Sequence, residues 1–474
     1  MTGIIRTTML ITVSRRNDAE TGRTLEMATV IIVSRHEDNR MGAWKSISQI
    51  NSFAIINKQE LCKNPPHLHD EHVLRTSQAI FLRLTTSNIE RACRDNRQFA
   101  LREQGSMGQG TDVFIVGGGP AGLAAAIAVR RQGFRVIVAD GAKPPVTKAC
   151  GEGLLPDALK ALTELGVELK ETDGSALRGI RFEDDRSSVS ARFPDGPGLG
   201  VRREVLHQRM MERARDCGVS FLWNTPVTGL LTEGVVAGGN KIRAKWVIGS
   251  DGGSSRVRRW SGLESLAPQR KRFAFRVHYR LEPWSDCTQI HWGEEAQAYV
   301  TAVGAQEICV VLILKKPDSH FDETLRRFPK LGRLLKGAAQ VGPERGAVTG
   351  MFNLERVYRG NVALIGDASG SVDAITGEGL SLSFRQATAL ADALAANDLE
   401  RYRKAHRRLL RRPRLMGQLL LLLDRRNGLR ERTMRALEAA PQLFERMLAY
   451  HVGETRPLQL ARASAVFGWQ FLTA

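Results

Sequence analysis

The sequence predicts an α/β protein: a Rossmann-like parallel sheet, an inserted antiparallel β-sheet, and a helical C-terminal region. Three observations predict it. Residues 112–122 read as an apolar strand, a glycine turn and the start of an alanine-rich helix. Two later segments, 247–258 and 363–380, again deliver glycines and an acid at the end of a short apolar strand. Between those two, residues 273–279 and 298–314 alternate and are rich in Val, Ile and aromatics, as antiparallel strands are.

Taken in order, residues 1–106 alternate short apolar stretches (28–33 and 53–56) with polar ones, carry a Pro65-Pro66 break, and show no sustained helical period. They lack the apolar core of a signal peptide. They are expected to be an N-terminal extension, with Met107 as the true start. Gly117, Gly119 and Gly122 then have the G-x-G-x-x-G spacing. The first glycine permits the tight turn, the second lets a pyrophosphate approach the backbone, and the third lets helix and strand pack closely. Pro120 and Ala121 lead into a helix over 121–132 whose unpaired N–H groups and positive dipole end face an anion. A strand over 135–139 ends at Asp140, about 20 positions past Gly117, where an acid accepts from a ribose 2′-hydroxyl.

A helix is expected over 155–165, stopped by Gly166, then a polar β-like segment at 179–193 and a Pro-Asp-Gly-Pro-Gly turn at 194–198. A helix over about 203–217 leads into short strands up to Gly249, where Asp251 and Gly252 follow. Residues 362–365 form a short strand that delivers Gly366 and Asp367. Long helices follow over about 379–395 and through the basic tail. The backbone N–H groups around Gly377, Gly379 and Leu380 make a helix N-terminus suited to negative charge. The expected partition is a discontinuous cofactor domain (107–178, 199–265, 355–395), a substrate-binding β-sheet domain (179–198, 266–354) and a basic helical region (396–474).

The formal charge of +19 favours anionic surfaces, and much of it lies between Arg401 and Arg435. Those basic helices are either a solvated face or a peripheral contact with anionic membrane. No zinc knuckle and no basic patch interleaved with aromatics points to nucleic acid. No apolar run reaches the roughly 20 residues that cross a bilayer. The six cysteines (Cys62, Cys93, Cys150, Cys217, Cys287, Cys309) are scattered, without metal-binding spacing, and are expected to be reduced thiols of a cytoplasmic protein.

In order and separation, the three glycine-and-acid segments resemble the FAD-binding signatures of the p-hydroxybenzoate hydroxylase-like flavoproteins. That group includes aromatic-ring monooxygenases, squalene epoxidase-like enzymes and geranylgeranyl reductases. The resemblance covers about residues 112–395. It implies an FAD-binding domain of the glutathione reductase type, one FAD, and NAD(P)H as a transient reductant. It further implies that Asp140 binds the adenosine ribose and that Arg203 lies beside the FAD phosphates and flavin. Asp251 and Gly252 would belong to a segment linked to both FAD and NAD(P)H, and Asp367 would bind ribityl or ribose hydroxyls.

Lys148-Ala-Cys-Gly-Glu-Gly-Leu154 resembles the Lys-x-Cys-Gly-Gly-Gly-Leu segment of geranylgeranyl reductases, with Glu152 in place of a glycine. The resemblance makes Cys150 a candidate proton donor; alternatively it is a small residue packed against the cofactor. Glu152 is expected to orient substrate or a proton, or to cap the helix that begins near Pro156. The aromatic segment that lines the lipid pocket of those reductases is missing, as is the tryptophan signature of flavin halogenases. The first expectation is therefore an NAD(P)H-dependent FAD monooxygenase acting on an apolar or aromatic small molecule. The second is a reductase of isoprenoid or lipid double bonds. The third is a non-catalytic prenyl-binding protein. The strands holding Arg276, His278, Trp292 and Tyr299 are expected to build the substrate pocket, with Arg276 and His278 on one face.

Overall fold

The computed structural model describes residues 110–184, 186–264, 271–316 and 320–453, together with the backbone of 5–17 and 24–36. The two N-terminal segments are the strands Ile5–Asn17 and Thr24–His36, paired antiparallel, within a unit separate from the rest of the chain. The apolar stretch 28–33 falls in the second of them. Residues 53–56, the Pro65-Pro66 break, Met107, Cys62 and Cys93 lie outside the described residues.

In the larger unit, five parallel strands form the body of an eight-stranded sheet in the order Ser220–Leu222, Val136–Ala139, Thr111–Val116, Asn240–Gly249 and Val362–Leu364. The central strands Thr111–Val116 and Val136–Ala139, the strand Val362–Leu364 and the last residues of Asn240–Gly249 are nearly continuous buried apolar runs, as parallel sheets covered on both faces require. Val113 and Ile115 face the core under the helices Pro120–Arg131, Arg203–Asp216 and Gly379–Ala395. Phe114 and Val116 face the other way, toward the antiparallel strands Val227–Leu231 and Gly234–Ala237. Each such apolar side chain contributes about 1.5–3 kcal/mol on burial. Gly122 is obligatory: a Cβ there would lie 1.9 Å from the carbonyl oxygen of Gly117, so helix and strand could not meet.

The second sheet has seven strands in the order Ala339–Gly350, Lys271–Arg280, Glu307–Leu314, Ala296–Gly304, Cys287–Trp292, Gly179–Glu183 and Ser188–Arg192. The stretch 298–314 is thus two strands, and the pairing is antiparallel except between Cys287–Trp292 and Gly179–Glu183. Strict alternation splits the sheet into two faces. Val277, Ala298, Val300, Val310 and Leu312 pack with Phe321 and Leu331, which stand on two short helices. Ala274, Ile290, Tyr299, Val311 and Ile313 form the other face, which packs with residues of the C-terminal region.

Among its described residues that region has three helices, Leu399–Arg425, Asn427–Ala439 and Pro441–His451. Asp398 caps the first by accepting from the Glu400 N–H at 2.9 Å. Among the described residues no helix is long and apolar enough to cross a membrane.

Candidate active site

The carboxyl ends of the strands Thr111–Val116, Asn240–Gly249 and Val362–Leu364 open onto one cavity of about 660 Å³. This size falls within the roughly 300–1,000 Å³ of ligand clefts. The cavity brings together Gly117, Gly119, Pro120, Ala121, Asp251, Gly252, Asp367, Gly377, Gly379 and Leu380 from the three glycine-and-acid segments, and with them Asp140 and Arg203. Gly122 and Gly366 stand behind it, held against Gly117 and Ala121.

The acids differ in what occupies them. Asp140 accepts from the Gly118 N–H at 2.7 Å and the Ala142 N–H at 2.8 Å, so it shapes the turn it closes. Asp251 accepts from the N–H groups of Arg256 (2.7 Å) and Val257 (3.2 Å), holding the N-terminus of the short helix Arg256–Trp260. Asp367 pairs with Lys148 at 2.8 Å and remains partly exposed.

The residues fit a flavin dinucleotide. A Cβ built on Gly119, Gly252, Gly377 or Gly379 would meet no atom within 4 Å, so these backbones face open space. Gly377 has a φ of 67°, which exposes the following N–H groups at the start of a 17-residue helix. Arg203 Nε is buried without a hydrogen-bond partner, a cationic donor waiting for an acceptor.

Cys150 is half-buried in the cavity wall, and its Sγ accepts from the Glu152 N–H at 3.4 Å. The Glu152 carboxylate is fully buried and turned away from the helix Pro156–Glu164, which has no side-chain cap. The expectation that it caps that helix is therefore corrected. Its Oε1 accepts from Arg276 Nη1 and from the Arg203 N–H at 3.1 Å, while Oε2 meets His278 Nε2 at 2.6 Å. Burial pushes this carboxyl up, but His278, Arg276 and the Arg203 N–H outweigh it, so its pKa lies below the ordinary glutamate value. Cys309 lies against the same cluster, its thiol pushed well above the usual range by burial and by Glu152. Ligand atoms of Glu152, His278 and Cys309 lie within 4.8 Å of one another, with Arg276 already supplying positive charge to the carboxylate.

The strands that hold Arg276, His278, Trp292 and Tyr299 line the cavity through Ala274, Thr288, Ile290, Tyr299 and Thr301, so of those four marker residues Tyr299 alone faces it. Arg276 and His278 share a face as alternation requires, but they are spent on Glu152. Trp292 packs edge-on against Phe182 in the core, with its ring centroid 5.8 Å away. The apolar wall comes from Ile180, Ile290, Val311 and Ile313 of the sheet. Opposite them stand Met416, Leu420, Phe444 and Leu448 of the C-terminal helices, which sequence reading treated as a basic face. His451 also reaches the cavity, its Nε2 donating to the Thr376 carbonyl at 2.9 Å. The one signal for it was helical spacing, since positions 444, 448 and 451 share a side of their helix.

Residues 110–411 match the family described as FAD binding domain. The chain is similar to the menaquinone reductase of Mycobacterium tuberculosis, 27% identical over 331 residues that cover 62% of this chain and 79% of that protein. It is similar to the ubiquinone hydroxylase UbiL of Rhodospirillum rubrum, 25% identical over 320 residues, 62% of this chain and 74% of that protein. Its fold resembles the crystal structure of a flavoprotein/dehydrogenase from Cytophaga hutchinsonii, with a TM-score of 0.64 and 19% identity, over 72% of this chain and 92% of that one. With the glycine cradle, the matched span and these relatives in agreement, the chain belongs to the FAD binding domain family and is an FAD-dependent oxidoreductase.

Proposed function

We propose that this enzyme reduces a carbon–carbon double bond in an apolar isoprenoid substrate, of the size and character of a quinone lipid, with NAD(P)H as the source of electrons. The observation that carries this reading is Cys150, a thiol in the wall where the glycine cradle meets the apolar chamber. The three glycine segments with Asp140, Arg203, Asp251 and Asp367 would hold FAD, which when bound and reduced would supply a hydride. Cys150 then gives its Sγ proton to the neighbouring carbon, and the thiolate is reprotonated from solvent. Glu152 holds the Cys150 loop in place from behind. Ile180, Ile290, Val311, Leu420 and Phe444 bind the chain and exclude water. In this reading, residues 107–178, 199–265 and 355–395 are the cofactor domain, and 179–198 with 266–354 the substrate sheet.

A second reading, oxygenation of the same substrate class, is favoured by the similarity to a ubiquinone hydroxylase. Mass spectrometry of the product separates the two. The reduced enzyme mixed with menaquinone without oxygen should add two hydrogens that persist after the quinone ring is reoxidised, and Cys150→Ala should slow this by about a hundredfold with flavin content unchanged. Gain of an oxygen atom in air, with no anaerobic product, would establish the second reading instead.

A further inference from the structure

We propose that the outer side of the helix Leu399–Arg425 is a docking surface for an anionic lipid bilayer, set beside the wall of the substrate cavity. The exposed positions Arg408, Arg411, Leu415, Leu419, Leu422 and Arg425 recur every three or four residues, so they line one side of the helix. Leu415, Leu419 and Leu422 are 45%, 45% and 43% exposed. A helix that merely faces solvent puts charges at such positions. Here three leucines form an apolar ridge two turns long, bounded by arginines at both ends.

The next residue in each of the first two cases turns inward: Met416 and Leu420 line the cavity. The ridge and the chamber are thus two sides of the same helical turns. With no helix among the described residues able to span a membrane, the geometry is that of a helix lying in the interface plane. Its apolar side sinks among acyl chains while arginines meet phosphate headgroups. The chain's charge of +19 supplies the complementarity to anionic lipid and opposes a second copy as the occupant. The role given to this surface, delivery of a bilayer-dissolved substrate, rests on the proposed function; the surface itself does not.

The test is flotation of the full, flavin-loaded chain with vesicles of phosphatidylcholine alone or with about a third phosphatidylglycerol. The chain should float with the anionic vesicles, and concentrated salt should release it. The triple variant Leu415→Ser, Leu419→Ser, Leu422→Ser should partition about tenfold more weakly, and Arg408→Gln with Arg411→Gln and Arg425→Gln several-fold more weakly. Neither set should change turnover of detergent-dispersed menaquinone. The proposal is overturned if the wild-type chain stays unbound or binds neutral vesicles equally well. It is also overturned if both variants float like wild type, or if sedimentation shows the leucines buried by a second copy or by residues 454–474. Vesicle binding without turnover would sustain the surface and remove the substrate reading. Turnover in detergent without vesicle binding would do the reverse.

Discussion

Glu152 adopts φ 59°, a conformation that glycine takes freely and that costs other residues about 1–3 kcal/mol. What holds it there is the buried cluster with Arg276, His278 and the Arg203 N–H. Removing the carboxylate strands a buried guanidinium, so Glu152→Ala should cost about 3–5 kcal/mol in urea unfolding. Glu152→Gly, which relieves the backbone, should recover only part of that. A stability change below 1 kcal/mol in both would show that the cluster does not anchor the Cys150 loop. The local pattern Cys-Gly-Glu-Gly made the departure from glycine legible, but not its cause. Arg276 and His278 lie on the strand Lys271–Arg280, more than a hundred positions along the chain, and no periodicity links such distant residues. Asp140 and the cradle glycines were legible because strand, turn and helix are contiguous there.

The helix Leu399–Arg425 pins the Gly366–Asp367 turn from behind. Tyr402 Oη donates to the Leu364 carbonyl at 2.7 Å, and His406 Nε2 lies 2.9 Å from Ser369 Oγ, which itself donates to the Gly366 carbonyl. Burial, with Arg414 and Arg407 adding to it, pushes the His406 pKa from 6.5 down to about 3. The folded value lies below the unfolded one, so stability is complete above about pH 6.5 and is lost as pH falls toward 3. Denaturation midpoints between pH 6 and 5 should therefore decline, by up to about 1.4 kcal/mol per pH unit from this group. His207 and His291, also held low by burial, act with the same sign. His406→Gln should flatten its share of the slope; an unchanged slope would place the titration elsewhere. The helix itself was legible in sequence, and so was its charge. Its inward side was not, because the arginines between Leu399 and Arg425 mask the apolar positions that reach the cavity.

At the scale of the molecule, the cavity collects residues from Val116 to His451, drawn from both sheets and the C-terminal helices. All of these walls belong to one compact unit, and none encloses the site alone. A dinucleotide laid along the glycine cradle would touch the ends of three parallel strands and the start of the helix Gly379–Ala395. Its binding free energy therefore adds to the stability of the whole larger unit. At a hundredfold excess over its dissociation constant, FAD should stabilise the fold by about 2.7 kcal/mol. Calorimetry should show this as a rise of several degrees in Tm for a single transition. Asp140→Ala, which frees the Gly118 and Ala142 N–H groups and loosens the turn, should shrink the rise by weakening FAD binding. Two separate transitions, with only one responding to FAD, would mean that the cofactor domain and the C-terminal wall unfold independently. In that case the apolar chamber would open without disturbing the cradle, and the walls would not be coupled through the ligand they share.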